Sequence, residues 1–297
     1  MKYILSQRLE KKDGLKRLID IFIERELEKR ATKFNKTRGM PIAVFGNDTI
    51  GISIALKGLF EDEHLQDLNH LFKNLGIDVS QSTAIDIGAN IGNHALEFAK
   101  YFKNVICYEP NPRAYDVLSV NTKRLKNIEI FNWGCGAKEE FLELYENINN
   151  IGGSSAIYET DKKNIVNIEI KPLDNNLDSL KNVMLLKIDV EGMEIDVLKG
   201  AEKTINKFYP LICFEQHATD FLNHYHETEV IDWLRNKGYR IYAINIPKRK
   251  NILIRRLKNI KQMIFGFENN REIIEYKELP VGYYDMIYAI HSSVKTP

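Results

Sequence analysis

The chain has 297 residues, 44% of them hydrophobic and 28% charged, with a formal net charge of +1; that is enough for a full α/β core plus an appended segment, and it excludes a globally basic nucleic-acid binder though not a local cationic patch. No apolar run approaches bilayer length, and the start, Met1-Lys2-Tyr3-Ile4-Leu5-Ser6-Gln7-Arg8, has no continuous apolar core or small-residue cleavage site. Three widely spaced cysteines, Cys107, Cys135 and Cys213, suit buried thiols in a reducing cytoplasm better than a disulfide framework or a zinc site.

Residues 1 to about 38 carry a helical pattern, in which Leu15, Leu18, Ile19, Phe22, Ile23 and Leu27 share one apolar face. That face either packs on the chain's own domain or pairs with a second copy as a homodimer. Residues 41–45 and 49–55 flank Gly46-Asn47-Asp48 and read as a β-hairpin. Leu65, Leu68, Leu71, Phe72 and Leu75 then line a helix. Residues 1–80 are therefore expected to form an N-terminal cap of helix, hairpin and helix, ahead of a catalytic domain at 81–297.

From Ser82 onward strands alternate with helices, which predicts a mostly parallel, doubly wound α/β sheet. The expected strands are 83–87, 105–108, 129–132, 184–189, 211–215, 239–244 and 284–291. Residues 140–145 and 165–172 flank the polar stretch Ile148-Asn149-Asn150-Ile151-Gly152-Gly153-Ser154-Ser155. Together they predict a β-hairpin extension near 138–172, whose tip is either a substrate loop or a plain connection.

Thr83-Ala84-Ile85-Asp86-Ile87-Gly88-Ala89-Asn90-Ile91-Gly92 reads as a buried strand entering a glycine turn and a helix. The following strand ends in Glu109-Pro110-Asn111-Pro112. An α/β sheet holds a ribose with this order of parts: the turn lets a ligand approach the backbone, and the acid accepts hydrogen bonds from the ribose hydroxyls. The turn lacks the G-x-G-x-x-G spacing that binds a pyrophosphate, and no G-x-x-x-x-G-K-[ST] phosphate loop occurs. Asp86 suits a cationic ligand. S-adenosylmethionine, with a ribose, an ammonium, a sulfonium and no phosphate, fits the pattern. An ordinary strand–turn–helix corner fits it too. A nicotinamide-dependent oxidoreductase and a non-catalytic binding scaffold are the competing classes.

Further along come Lys187-Ile188-Asp189-Val190-Glu191-Gly192, Val197-Leu198-Lys199-Gly200-Ala201 and Cys213-Phe214-Glu215-Gln216-His217. With the glycine turn, these blocks resemble the FkbM family of S-adenosylmethionine-dependent methyltransferases over roughly residues 80 to 220, most specifically from Lys187 to Ala201. The resemblance implies a Rossmann-like class I methyltransferase fold and O-methylation of a sugar or polyketide hydroxyl. It also implies a cofactor-binding set of Asp86, Gly88, Ala89, Asn90, Gly92, Asn93, Glu109, Pro110, Asn132, Trp133 and Asp189, with Asn132 and Trp133 flanking the adenine. Asn90 stands where general methyltransferases carry a second glycine, and FkbM-like sequences share that asparagine.

Methyl transfer to a hydroxyl requires alignment of the acceptor and removal of a proton from a weak acid. The groups to do this belong at the ends of the fourth and fifth core strands, where Asp189, Glu191, Glu215 and His217 fall. His217 is the first candidate for general base, with Glu215 beside it to raise its basicity; Asp189 orients the acceptor or serves as base itself. A third reading gathers Asp189, Glu215 and His217 around a divalent metal. His94 falls in the first turn of the helix after the glycine turn, while His224 and His226 are two apart and face different sides of theirs.

Residues 248–265 hold seven basic side chains and no acid, and Leu253, Leu257, Ile260 and Ile264 share a helical face there. A basic helical insertion is expected near 247–275. It reads as a solvated surface helix, as a rim attracting a nucleotide-linked or phosphorylated saccharide, or as a peripheral membrane contact.

Overall fold

The computed structural model describes residues 14–145, 165–221, 227–244 and 272–294. Helix α1 (Gly14–Arg38) leads the described chain. Its C-terminal half is tied to the next helix by two guanidinium groups, Arg30 donating to the Leu56 carbonyl at 2.6 Å and Arg38 to that of Gly58 at 2.7 Å. Its other half presents Leu15, Leu18, Ile19, Phe22, Ile23 and Leu27, each at least 40% exposed. Nothing among the described residues covers this face.

The hairpin expected at residues 41–55 is not formed. Residues 41–45 form no strand, and 49–57 are helix α2 (Thr49–Lys57). Asp48, in extended conformation, accepts from the Ile50 amide and caps the helix; Gly58, at φ +95°, closes it by donating to Ile54 O. Gly46-Asn47-Asp48 is therefore the lead-in to a capped helix, because the aspartate side chain satisfies a free helical N–H that a turn would not offer. Ala43 pairs instead with a side chain: its N–H donates to Asn121 Oδ1 at 2.7 Å and its carbonyl accepts from Asn121 Nδ2 at 3.0 Å. Helix α3 (Asp62–Asn74) follows, burying Leu65, Leu68, Leu71 and Phe72.

The core alternates β1 (Thr83–Ile87), α4 (Asn93–Phe98), β2 (Asn104–Tyr108), α5 (Pro112–Thr122) and β3 (Ile128–Phe131). A side sheet follows from β4 (Gly134–Cys135), β5 (Glu140–Tyr145) and β6 (Ile165–Lys171), ordered β4-β6-β5. The expected hairpin extension forms its antiparallel β5–β6 pair, in register from Glu140↔Ile170 to Tyr145↔Ile165. Its polar tip, from Ile148 to Ser155, lies outside the described residues. Then come β7 (Val183–Ile188), α6 (Glu194–Gly200), α7 (Glu202–Phe208), β8 (Leu211–Gln216), α8 (Glu229–Asn236), β9 (Tyr239–Ile244), β10 (Ile273–Tyr276) and β11 (Tyr284–His291).

The main sheet runs β10-β9-β11-β8-β7-β1-β2-β3. Strands β3, β2, β1, β7 and β8 are mutually parallel; β11 runs antiparallel between β8 and β9, and β10 is an antiparallel edge. This is the Rossmann-like class I methyltransferase arrangement. Parallel strands buried on both faces read as continuous apolar runs, and all five residues of β1 are buried. The order reverses between β1 and β7, so a crevice opens beyond their C-terminal ends, where doubly wound sheets bind ligands.

Strand β10 corrects the expected helical insertion at its far end. Ile273 and Ile274 are half-buried edge-strand residues, and Glu275 accepts from the Tyr242 hydroxyl at 3.0 Å. The basic side chains from Lys248 to Lys261 lie outside the described residues, as do His224 and His226. Among the described residues no helix is long and apolar enough to cross a membrane. Cys107, Cys135 and Cys213 are all free and buried.

Candidate active site

Two compartments open at the crevice and share four residues, Gly88, Asn90, Asp189 and Glu191. One is largely apolar, lined by Ile87, Pro110, Ala114, Cys135, Leu144, Ile168, Ile170 and Met193, with Glu109 and Asn111 adding to the shared polar groups. The other is polar, lined by Glu61, Asn93, His94, Lys187, Glu215 and Tyr283 together with Thr49, Ile50 and Phe60.

The glycine turn builds the shared floor. Gly88 and Ala89 donate to the Tyr108 carbonyl at 2.9 and 3.1 Å, drawing the turn toward the tip of β2. At Gly88, φ is +76° and an added Cβ would stand 1.8 Å from the Asp189 carbonyl oxygen, so only glycine lets the turn lie against the end of β7. Gly92 caps α4 in a left-handed conformation.

Beneath the turn is a buried ion cluster. Asp86 is fully buried and lines neither compartment. Its cation belongs to the chain itself: Lys187 Nζ lies 3.0 Å from Asp86 Oδ1, 3.4 Å from Asp189 Oδ2 and 3.4 Å from the Gly88 carbonyl. Register makes the contact, since Asp86 sits opposite Lys187 across β1 and β7. Burial alone would lower the Lys187 ammonium pKa, but Asp86 and then Asp189 reverse this and leave it raised.

Glu109 is held by two backbone donors, the Asn90 amide to Oε2 at 2.7 Å and the Asn111 amide to Oε1 at 2.8 Å. Burial outweighs these bonds and pushes its carboxyl up to about 7. Asn132 lines neither compartment; its Nδ2 donates to the Glu109 and Pro110 carbonyls at 2.8 and 3.3 Å, fixing the backbone behind the acid. Trp133 packs in an aromatic cluster with Tyr108 and Phe131, at centroid distances of 4.5 and 5.9 Å. Asn93 brackets the Phe60 backbone, accepting from its N–H at 3.1 Å and donating to its carbonyl at 2.8 Å. The segment before α3 thereby becomes a wall of the polar compartment.

On that wall Glu61 lies 3.3 Å from His94 Nε2. Burial raises the Glu61 carboxyl, but the His94 hydrogen bond and charge, helped by Lys187, win and leave it lowered. Glu191, in a left-handed conformation at φ +53°, is pushed up to about 7 by burial and then by Asp189, Glu215 and Glu194. Burial also raises Glu215, against a hydrogen bond from the Tyr283 hydroxyl. His217 lines neither compartment; its Nε2 stands 3.6 Å behind Glu215 Oε1.

The structure thus gathers Gly88, Asn90, Glu109, Pro110, Asp189 and Glu215 around the compartments and places Asp86, Asn132, Trp133 and His217 behind them. Among the described residues no group of three or more His, Cys, Asp or Glu side chains is arranged to hold a metal ion. Glu61, Asn111, Lys187 and Tyr283 were given no role from sequence. Lys187 left a signal, a cation inside an apolar strand; the other three depend on tertiary contacts.

The apolar compartment fits a nucleoside. At Gly134 the Ile170 side chain packs directly over the backbone, where a Cβ would meet Ile170 Cδ1 at 2.7 Å, and the buried Asn90 Oδ1 and Asn111 Nδ2 have no hydrogen-bond partner among the described residues. Residues 86–241 match the family described as Methyltransferase FkbM domain. The chain is similar to Methyltransferase sdnD of Sordaria araneosa, 27% identical over 184 residues, covering 50% of this chain and 68% of that protein. It is also similar to Hexuronic acid methyltransferase AglP of Haloferax volcanii, 28% identical over 134 residues, covering 45% of this chain but only 55% of that protein. A solved structure, Methyltransferase FkbM from Methylobacillus flagellatus KT, aligns with a TM-score of 0.39 at 18% identity, covering 77% of this chain and 67% of that one. With more than half of its length inside the family match, the chain belongs to the FkbM methyltransferase family.

Proposed function

We propose that the protein is an S-adenosylmethionine-dependent O-methyltransferase acting on a saccharide hydroxyl. The observation that carries this reading is the pair of compartments joined at Gly88, Asn90, Asp189 and Glu191, one apolar and one rich in carboxylates. Glu109 takes the ribose hydroxyls, while Gly88, Ala89, Asn90 and Pro110 shape the nucleoside compartment. S-adenosylmethionine supplies an activated methyl group, so the chain's own task is to align a hydroxyl and accept its proton.

Asp189, facing both compartments, orients the acceptor hydroxyl. Glu215 faces the acceptor side with Tyr283 hydrogen-bonded to it and His217 behind it; it receives the proton and His217 passes it outward. A hydroxyl-rich ring suits this lining, because carboxylates accept from hydroxyls and Glu61, Asp189, Glu191 and Glu215 all line it. The saccharide relative named above supports the same class.

Two measurements test the reading. Calorimetry should show S-adenosylhomocysteine binding in preference to NAD, and a mass-spectrometric screen of sugar nucleotides and glycans should show a one-methyl mass gain. Binding of NAD alone, or methylation confined to nitrogen or carbon acceptors, would refute it.

A further inference from the structure

Glu61 stands where the local backbone asks for a different residue. It precedes α3 as the N-cap, yet its side chain makes no capping hydrogen bond, and its backbone is left-handed at φ +55°. An N-cap favours Ser, Thr, Asp or Asn, and a left-handed backbone favours glycine or asparagine. Glutamate serves neither need, so the position carries a local strain that the helix does not offset. The side chain is engaged elsewhere. Its Oε2 lies 3.3 Å from Nε2 of the buried His94, in the first turn of α4, and the carboxylate has no other hydrogen-bond partner among the described residues. Burial works against its charge, but His94 and Lys187 hold the carboxyl below the usual range, so at neutral pH it can only accept. It lines the polar compartment with Asp189 and Glu215. Unlike those two, it lies ahead of residues 86–241, which carry the family match. The N-terminal segment brings it in, through the grip of Asn93 on the Phe60 backbone.

We propose that Glu61 selects the acceptor, its remaining carboxylate oxygen accepting a hydrogen bond from a second hydroxyl of the sugar, not the one that is methylated. This rests on the saccharide reading above and adds a specificity-determining residue to it. Asp189 and Glu215 deal with the reacting hydroxyl, whereas Glu61 is added to the same compartment from outside the matched domain. His94 holds one oxygen and so fixes the direction of the other. An ionised acceptor in a fixed direction discriminates in two ways. A sugar without that hydroxyl leaves the carboxylate unanswered, and a sugar with a carboxylate there brings like charges together.

The test uses methyl glycosides of hexoses, 6-deoxyhexoses and N-acetylhexosamines as acceptors, followed by the monodeoxy series of the best one, with S-adenosylhomocysteine release as the assay. Glu61→Gln keeps an oxygen for His94, and Glu61→Gly suits the left-handed backbone, so both should melt close to wild type without ligand. Affinity for S-adenosylhomocysteine, by calorimetry, should be unchanged in both. KM for the best glycoside should rise about ten- to a hundredfold in Glu61→Gly and less in Glu61→Gln, with kcat little changed, as for loss of one charge-assisted contact to a non-reacting group. One monodeoxy glycoside should be as poor for wild type as the parent is for Glu61→Gly, and should lose nothing further in the variant. An unchanged KM in Glu61→Gly, or equal sensitivity of every monodeoxy glycoside to the substitution, would overturn the inference and leave the saccharide reading intact. So would melting well below wild type in both variants, which makes Glu61 structural, or a matching fall in S-adenosylhomocysteine affinity, which assigns it to the cofactor. Wild type that methylates no glycoside would also overturn it, and a mass-spectrometric screen finding no methylated glycan would remove the saccharide reading as well.

Discussion

Replacing Lys187 by Met tests the buried ion cluster under the glycine turn. The substitution keeps the side chain's length and removes its charge, leaving the fully buried Asp86 without a counter-ion. Two charges 3.0 Å apart, at an effective dielectric of about 20, attract by about 5 kcal/mol before desolvation is subtracted. Breaking one side of a buried pair costs about 3–5 kcal/mol, because the remaining charge stays buried and uncompensated. That is a large part of the roughly 5–15 kcal/mol that stabilises a typical domain. Urea denaturation followed by circular dichroism measures it by linear extrapolation. The double variant Asp86→Leu with Lys187→Met removes both charges and should recover most of the loss. A single variant that costs under about 1 kcal/mol, or a double variant no more stable than the single, would refute the reasoning. Because the Lys187 ammonium pKa is raised, its contribution is constant through neutral pH and lost only as pH climbs through the folded-state value on the alkaline side.

Glu109→Gln should weaken S-adenosylhomocysteine binding by about 1.5–3 kcal/mol by calorimetry, since a charged acceptor for the ribose hydroxyls is lost. With the carboxyl pushed up to about 7, its ionised fraction grows between about pH 6 and about pH 8, so wild-type affinity should rise across that window and the variant's slope should be shallower. Without ligand the sign is opposite: a raised carboxyl pKa favours the protonated folded state, so this group's contribution declines as pH rises from the unfolded-state value toward about 7, visible in melts of wild type against the variant. Gly88→Ala should abolish cofactor binding and lower the melting temperature, because its Cβ would strike the Asp189 carbonyl at a backbone angle that disfavours alanine. Glu215→Gln should cut turnover about 100-fold with cofactor affinity intact, and His217→Ala should cost less; the reverse ranking in single-turnover assays would make His217 the base.

The sequence by itself determined the scaffold. Core strands can be read from it because a parallel strand buried on both faces is mostly apolar, as residues 83–87 and 184–188 are apart from Thr83, Asp86 and Lys187. The glycine turn was equally legible, since close approach of the backbone to the end of β7 demands glycine at a fixed place after the strand. Residues 49–57 were misread because Gly46-Asn47-Asp48 satisfies a hairpin turn and a helix cap alike, and the Asp48–Ile50 bond decides between them. Short edge strand β10 exists only by pairing with β9. The tertiary structure also decided which polar groups face a ligand. Strand register set Lys187 against Asp86, and the end of β8 brought His217 Nε2 within 3.6 Å of Glu215 Oε1. Glu61 and Asn111 acquired their places from Asn93 bracketing Phe60 and from a helix cap that leaves one amide donor buried. Side-chain type and spacing along one strand or helix are local properties that a chain carries openly. Which of two charges meets the other across a sheet depends on register, and that is settled only when the strands pack.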